Sequence, residues 1–162
     1  MTATTPAQIT RRLEFDAGHR LLGHEGKCRN LHGHRYAVEL TVKAYEGLDA
    51  VGRVIDFSVI KSVVGGWLDE HLDHGYIGQE GDELLEAASS VGSKIHVVSF
   101  PPTAELLAAH LFMIATDLLG DFGILVVRVR LYETPNGWAD FPSLAGRSCF
   151  CRVCKTCKEL DE

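Results

Sequence analysis

His19, His32 and His34 are the residues whose type and spacing point most directly to chemistry. Side chains two positions apart on a β-strand leave the same face, so His32 and His34 converge. His19 joins them if its own strand is an antiparallel neighbour. Neutral imidazole binds zinc at about 2.0–2.1 Å, and a catalytic zinc keeps three protein ligands with a fourth position open. The competing reading is three ordinary histidines, each satisfied by a hydrogen bond on a half-buried face, and one His-x-His alone would not separate the two. Three imidazoles in phase on adjacent strands favour the metal. A zinc hydrolase is disfavoured, because no glutamate base sits beside a histidine in an H-E-x-x-H pattern.

Cys28 lies four residues before His32 in a polar segment, where a neighbouring dication would stabilise a thiolate as base or nucleophile. Asp73 precedes His74, and an aspartate beside a histidine can orient and charge-stabilise the ring for proton transfer. Glu133 falls on the apolar side of a strand, where a carboxylate needs a partner. An amidine-like edge donating two hydrogen bonds would be one, and an arginine another. His24, His71, His96 and His110 show no metal spacing to each other and read as structural or exposed. The tail CFCRVCKTC packs Cys149, Cys151, Cys154 and Cys157 together. Such spacing suits a structural metal, while disulfides or a reduced tail remain open.

These groups need elements to hold them. Residues 9–19 alternate, with Ile9, Leu13, Phe15, Ala17 and His19 on one side, and only Arg11 breaks that face. From 32 to 44 the alternation is cleaner, His32, His34, Tyr36, Val38, Leu40 and Val42 sharing one face. Asp56 or Ser58 can cap a helix whose apolar stripe runs Phe57, Ile60, Val64, Trp67, Leu68 and His71, weakened at Gly65 and Gly66. Residues 75–94 read as a surface excursion with a short helix from Asp82 to Ala88, and Ile95 to Phe100 as a short strand. Thr103 caps a second long helix closed by Gly120. Ile124 to Thr134 reads as a strand with Leu125, Val127, Val129, Leu131 and Glu133 on one face, and Asn136-Gly137 turns it into another strand ending at Phe141. The order predicts an α+β fold: a four-stranded antiparallel sheet with two helices on one face.

At 162 residues with 46% hydrophobic content, one core is expected. The N-terminal stretch has no signal-like run, and nothing approaches the roughly 18 apolar residues of a membrane span, so a soluble, cytoplasmic protein is expected. A net charge of −6 gives no general attraction to nucleic acid. An anionic small molecule is still compatible with Arg20, Lys27, Arg29 and Arg35 around the histidines.

Taken in order, FDAGHRL, GKCRNLHGHRY, VIDFSVIK, LDH, PPTAEL and VRLYETPNG resemble the 6-pyruvoyl-tetrahydropterin synthase and 6-carboxytetrahydropterin synthase family, from about residue 11 to 141. The resemblance implies that His19, His32 and His34 bind zinc, Cys28 is the catalytic base, Asp73 and His74 relay protons, Glu133 anchors the pterin, and Thr103 and Glu105 contact substrate. It also implies the tunnelling fold (T-fold), in which sheets of a homo-oligomer, by resemblance a hexamer, join into a barrel with active sites between subunits. The short gap from Cys28 to His-Gly-His is similar to the carboxytetrahydropterin branch, which acts on 7,8-dihydroneopterin triphosphate in 7-deazaguanine and queuosine synthesis. Two departures stand out. After Asp73-His74 the family pattern continues toward a Leu-Asn pair where this chain reads GYIGQ, and family chains commonly stop near residue 145. Residues 1–146 are therefore read as the synthase domain and 147–162 as a Cys-rich tail.

Overall fold

The computed structural model describes residues 7–142. The predicted tail, 147–162 with its four cysteines, and the last few residues of the predicted synthase domain lie outside them. β1 (Gln8–His19) and β2 (His32–Ala44) are the two alternating segments, paired antiparallel along their length. Their register sets His19 opposite His32 and Ala17 opposite His34, so all three histidines share one face. β5 (Ile124–Thr134) pairs with β2, and β6 (Gly137–Phe141) with β5, both antiparallel, as the Asn136-Gly137 turn predicts.

The sheet has six strands rather than four, in the order β4-β3-β1-β2-β5-β6. The two strands outside that four-stranded expectation are β3 (Gly75–Gln79) and β4 (Ile95–Val98). β3 runs parallel to β1 through Ala17–His19 and parallel to β4. The sheet is therefore mixed. GYIGQ escapes prediction because two of its five residues are glycines and no alternation is visible. A side chain at Gly78 would displace Leu85, whose Cδ2 lies 2.5 Å from where a Cβ would stand.

Helix α1 (Phe57–Ile60), a π-helical turn over Lys61–Gly65 and α2 (Gly66–His71) form one continuous helical run, capped by the Asp56 carboxylate accepting from the Ser58 amide. The buried residues Ile60, Val64, Leu68 and Leu72 recur every four positions. In a pure α-helix that spacing drifts by about 40° per step, and the wider π turn takes up part of the drift. Phe57, predicted inside, is instead 45% exposed. α3 (Glu83–Ser90), capped by Asp82 as the Asp82-to-Ala88 expectation anticipates, covers the Tyr76 and Gly78 side of β3, away from the core-facing Ile77. The first helical run and the second long helix share the core face, as expected, and α3 adds a short helix on the other face. α4 (Ala104–Gly120) is the long second helix with Thr103 as its N-cap, and it buries Leu107, Leu111, Ala115 and Leu119.

A β-bulge shifts the predicted phase of β5. Thr41 pairs with Arg128 but Val42 with Val126, leaving Val127 as the extra residue. Ile124 is therefore buried and Leu125 39% exposed, the reverse of strict alternation back from Val129. Among the described residues, no helix is long and apolar enough to cross a membrane.

Candidate metal centre and active site

The three histidines meet where the antiparallel pair of β1 and β2 reaches the core face. Their potential ligand atoms all lie within 4.8 Å of one another, the only such group of three among the described residues. The ring centroids of His19 stand 4.6 Å from His32 and 5.2 Å from His34. Gly33, between the two β2 ligands, allows the strands to approach this closely: a Cβ there would stand 3.0 Å from the Ala17 carbonyl oxygen.

Backbone carbonyls aim two of the rings. His19 Nδ1 donates to the Pro102 carbonyl at 2.9 Å, and His32 Nδ1 donates to Asn30 at 2.8 Å. A ring whose Nδ1–H is so committed carries its lone pair on Nε2, the tautomer a metal requires. His19 Nε2 and His34 Nε2 are buried without a hydrogen-bond partner. Burial holds both rings below the ordinary histidine pKa, against the opposing pull of Glu133. Neutral imidazoles with buried, unspent lone pairs fit a zinc ion, which would satisfy the atoms that the protein leaves unpaired.

Glu133 is the extra residue of a second bulge, between the Tyr132–Trp138 and Thr134–Gly137 pairs. Its carboxylate faces the triad, on the side that alternation with the buried Val129 and Leu131 gives it, with Oε1 3.4 Å from His19 Nε2 and 3.7 Å from His34 Nε2. Its side chain remains 32% exposed, so the carboxylate joins the histidine cluster to solvent.

Cys28 sits in a short 3-10 turn (Lys27–Arg29), pinned because its carbonyl accepts from the Leu21 amide at 2.9 Å. It is a half-buried free thiol near enough to Tyr36 to act electrostatically on that ring. Tyr36 is fully buried against the triad, edge-on to His19 and His34, and its hydroxyl lacks a hydrogen-bond partner.

Asp73 and His74 do touch. His74 Nδ1 donates to Asp73 Oδ2 at 2.6 Å, while Asp73 Oδ1 accepts the Asp16 amide at 2.8 Å. That amide bond is the chief reason the Asp73 carboxyl is held below its usual range. His74 adopts a left-handed backbone, φ 57°, fixed by its amide donating to the Asp16 carbonyl. The polar contacts of the dyad run to Asp16 and Lys94, and the His74 side chain is 78% exposed. Within one chain, none of those contacts is with the triad.

Thr103 spends its hydroxyl on the Leu106 amide at 3.4 Å, and Glu105 lies in the first turn of α4. Thr103 directly follows Pro102, whose carbonyl holds His19. Of the expected basic rim, Arg20 forks onto the buried Asp82 and Arg35 pairs with Asp16 on the other face of β1, so neither is a free cation. Sequence reasoning missed the Pro102 and Asn30 carbonyls and the unpaired Tyr36 hydroxyl. The position of Tyr36 in phase with His32 and His34 was the available signal.

The family model described as 6-pyruvoyl tetrahydropterin synthase matches residues 8–143. A Rickettsia bellii protein named 6-carboxy-5,6,7,8-tetrahydropterin synthase is 44% identical over 132 residues, covering 80% of this chain and 95% of that protein. A Haemophilus influenzae protein of the same name is 34% identical, covering 83% and 97%. Among solved structures, an uncharacterised Wolinella succinogenes protein superposes with a TM-score of 0.72 at 23% identity, over 85% of this chain and 98% of its own. The Caenorhabditis elegans 6-pyruvoyl tetrahydropterin synthase follows at 0.64 and 22%, over 87% and 98%. The fold is that of these T-fold structures, and the two matches in sequence carry the same conclusion: the chain belongs to the 6-pyruvoyl tetrahydropterin synthase family.

Proposed function

We propose that this chain is a zinc-dependent carbon-carbon lyase, a 6-carboxytetrahydropterin synthase. It converts 7,8-dihydroneopterin triphosphate to 6-carboxy-5,6,7,8-tetrahydropterin with release of acetaldehyde and triphosphate, a cytoplasmic step toward 7-deazaguanines and queuosine. The observation that carries the reading is the convergence of two buried, unbonded imidazole nitrogens and the Glu133 carboxylate on one face, in a chain similar to proteins of that name. The short Cys28-to-His32 spacing supports the carboxy branch over the pyruvoyl one.

His19, His32 and His34 would hold the zinc, which when bound supplies Lewis acidity toward the side-chain hydroxyls of the substrate. Glu133 accepts two hydrogen bonds from the 2-amino and ring N–H edge of the pterin, exchanging its present approach to the histidines for a charge-assisted pair. Cys28 takes a proton on one side of the bound side chain. Asp73 and His74 move protons on the other, Asp73 holding the ring tautomer through Nδ1. Thr103 and Glu105 line the substrate end of α4.

The exposure of His74 supports an active site completed by a second copy, whose dyad approaches the triad of its neighbour. β4 and β6 are the sheet edges, and pairing them between copies would remove the unpaired backbone groups there, consistent with a homo-oligomer, by resemblance a hexamer. Cys149, Cys151, Cys154 and Cys157 are proposed as a structural metal site on spacing alone. Zinc content tests this: two equivalents per chain are expected, falling to one when residues 147–162 are removed.

The deciding assay is incubation of pure zinc-loaded protein with 7,8-dihydroneopterin triphosphate. Acetaldehyde and 6-carboxytetrahydropterin are expected. A product keeping its three-carbon side chain would transfer the chain to the pyruvoyl branch, and no turnover would reduce it to a pterin-binding module.

A further inference from the structure

We propose that His96 and His110 form a further metal site, for a borderline divalent cation of tetragonal preference such as nickel or copper(II), with His71 as the nearest further imidazole. The proposal does not depend on the activity assigned above.

The register of the sheet places this site. His32, His19, Ile77 and His96 stand in one row across β2, β1, β3 and β4. Ile77 is fully buried between the two clusters, and two strand spacings put the His19 and His96 backbones about 10 Å apart. His96 is therefore too far along the row to ligate the ion of the triad, yet it faces the same layer. α4 lays His110 over it, and the two Nε2 atoms stand 3.1 Å apart.

That distance suits a shared ion. Two nitrogens 3.1 Å apart and each bonded at about 2.0–2.1 Å subtend roughly 100° at the metal. The angle lies between the tetrahedral value preferred by zinc and the right angle of tetragonal copper or nickel. A single N–H···N hydrogen bond would give the same separation, and it is the alternative that the experiment must remove.

The surroundings favour the ion. Burial, together with the neighbouring His110 and His71, lowers the His96 pKa to about 4, and burial lowers that of His110. Both rings are therefore neutral near pH 7, and no carboxylate figures among the groups acting on them. The facing groups are Trp67 and His71 from α2, with Phe100 against His110. His71 Nδ1 donates to the Trp67 carbonyl at 3.0 Å, leaving the Nε2 lone pair free in the manner of an oriented ligand. Its ring stacks on Trp67 at 4.5 Å, with its centroid 6.5 Å from that of His96.

Trp67 provides the readout, since its indole lies 5.6 Å and 6.3 Å from the two rings and a paramagnetic ion between them would quench it. Zinc-loaded full-length protein is titrated with Ni²⁺ while tryptophan emission and bound nickel are followed. One saturable equivalent is expected, with a quench absent from Trp67→Phe and an affinity at least tenfold weaker in His96→Asn and in His110→Asn. Zinc at the triad and turnover should be unchanged in both histidine variants. Ni²⁺ should also protect His96 and His110 of the unsubstituted protein from ethoxyformylation, a test that requires no variant to fold. Identical titrations in wild type, His96→Asn and His110→Asn would overturn the proposal, as would unprotected rings at saturating nickel, and would leave the pair as a simple hydrogen bond.

Discussion

The triad of His19, His32 and His34 and the cluster of His71, His96 and His110 face the same layer of one sheet, but they are organised differently. In the triad, strand register sets the rings, backbone carbonyls take up the Nδ1–H groups of His19 and His32, and the buried Nε2 atoms of His19 and His34 remain unbonded. In the second cluster, rings from α2, β4 and α4 lean on Trp67 and Phe100, and two of them have each other as partners. An unpaired buried nitrogen costs about 1–3 kcal/mol, whereas a mutually bonded pair avoids that penalty. The metal-free triad is thus held at a cost that a ligand repays, and the second cluster is self-satisfied until an ion displaces the shared proton.

The largest expected effect tests the first half of that contrast. His34→Ala should lower zinc affinity by more than the roughly 10–100-fold typical of losing an outer-shell partner, and abolish turnover. Metal analysis of the purified variant checks it, with one zinc fewer per chain expected, and an unchanged zinc content would mean that the triad does not bind as a unit. Glu133→Gln should keep zinc but weaken substrate by about 2 kcal/mol, roughly 30-fold in kcat/KM, the worth of hydrogen bonds to a charged group. Tyr36→Phe isolates the cost of an unpaired group, since removing a buried hydroxyl without a partner should stabilise the metal-free protein by about 1 kcal/mol in thermal or urea unfolding. A destabilised variant would show that the hydroxyl is satisfied in solution.

The smallest effect is in acid. His96, His19 and His34 all have folded pKa values below their unfolded values, so the unfolded chain binds more protons as pH falls. Their contribution is fully present above about pH 6.5 and is lost as pH drops, through about 4 for His96. Melting temperatures of the metal-free protein should decline across that window, and the decline should be shallower in His96→Asn. An unchanged slope would show that the ring titrates normally.

Much of the site was legible in the sequence because it depends on a local period. Alternation of apolar residues in β1 and β2 fixed the common face of the triad, and a Thr103 cap with Gly120 at the other end bounded α4. Glu133 lies on the face that its alternation with Val129 and Leu131 assigns, and its carboxylate reaches the triad there. GYIGQ was opaque because a short glycine-containing strand, paired in parallel, carries no period of its own.

The sequence by itself determined which histidines share a face, since side-chain direction on a half-buried strand follows from chain geometry alone. Only the tertiary structure decided the rest. A bulge exists only relative to a partner strand, so the exposure of Leu125 required β2, and the approach of Glu133 to the histidines required the pairing of β1, β2 and β5. The meeting of His96 with His110 required α4 to lie across the sheet edge, a contact between residues with no common period to announce it.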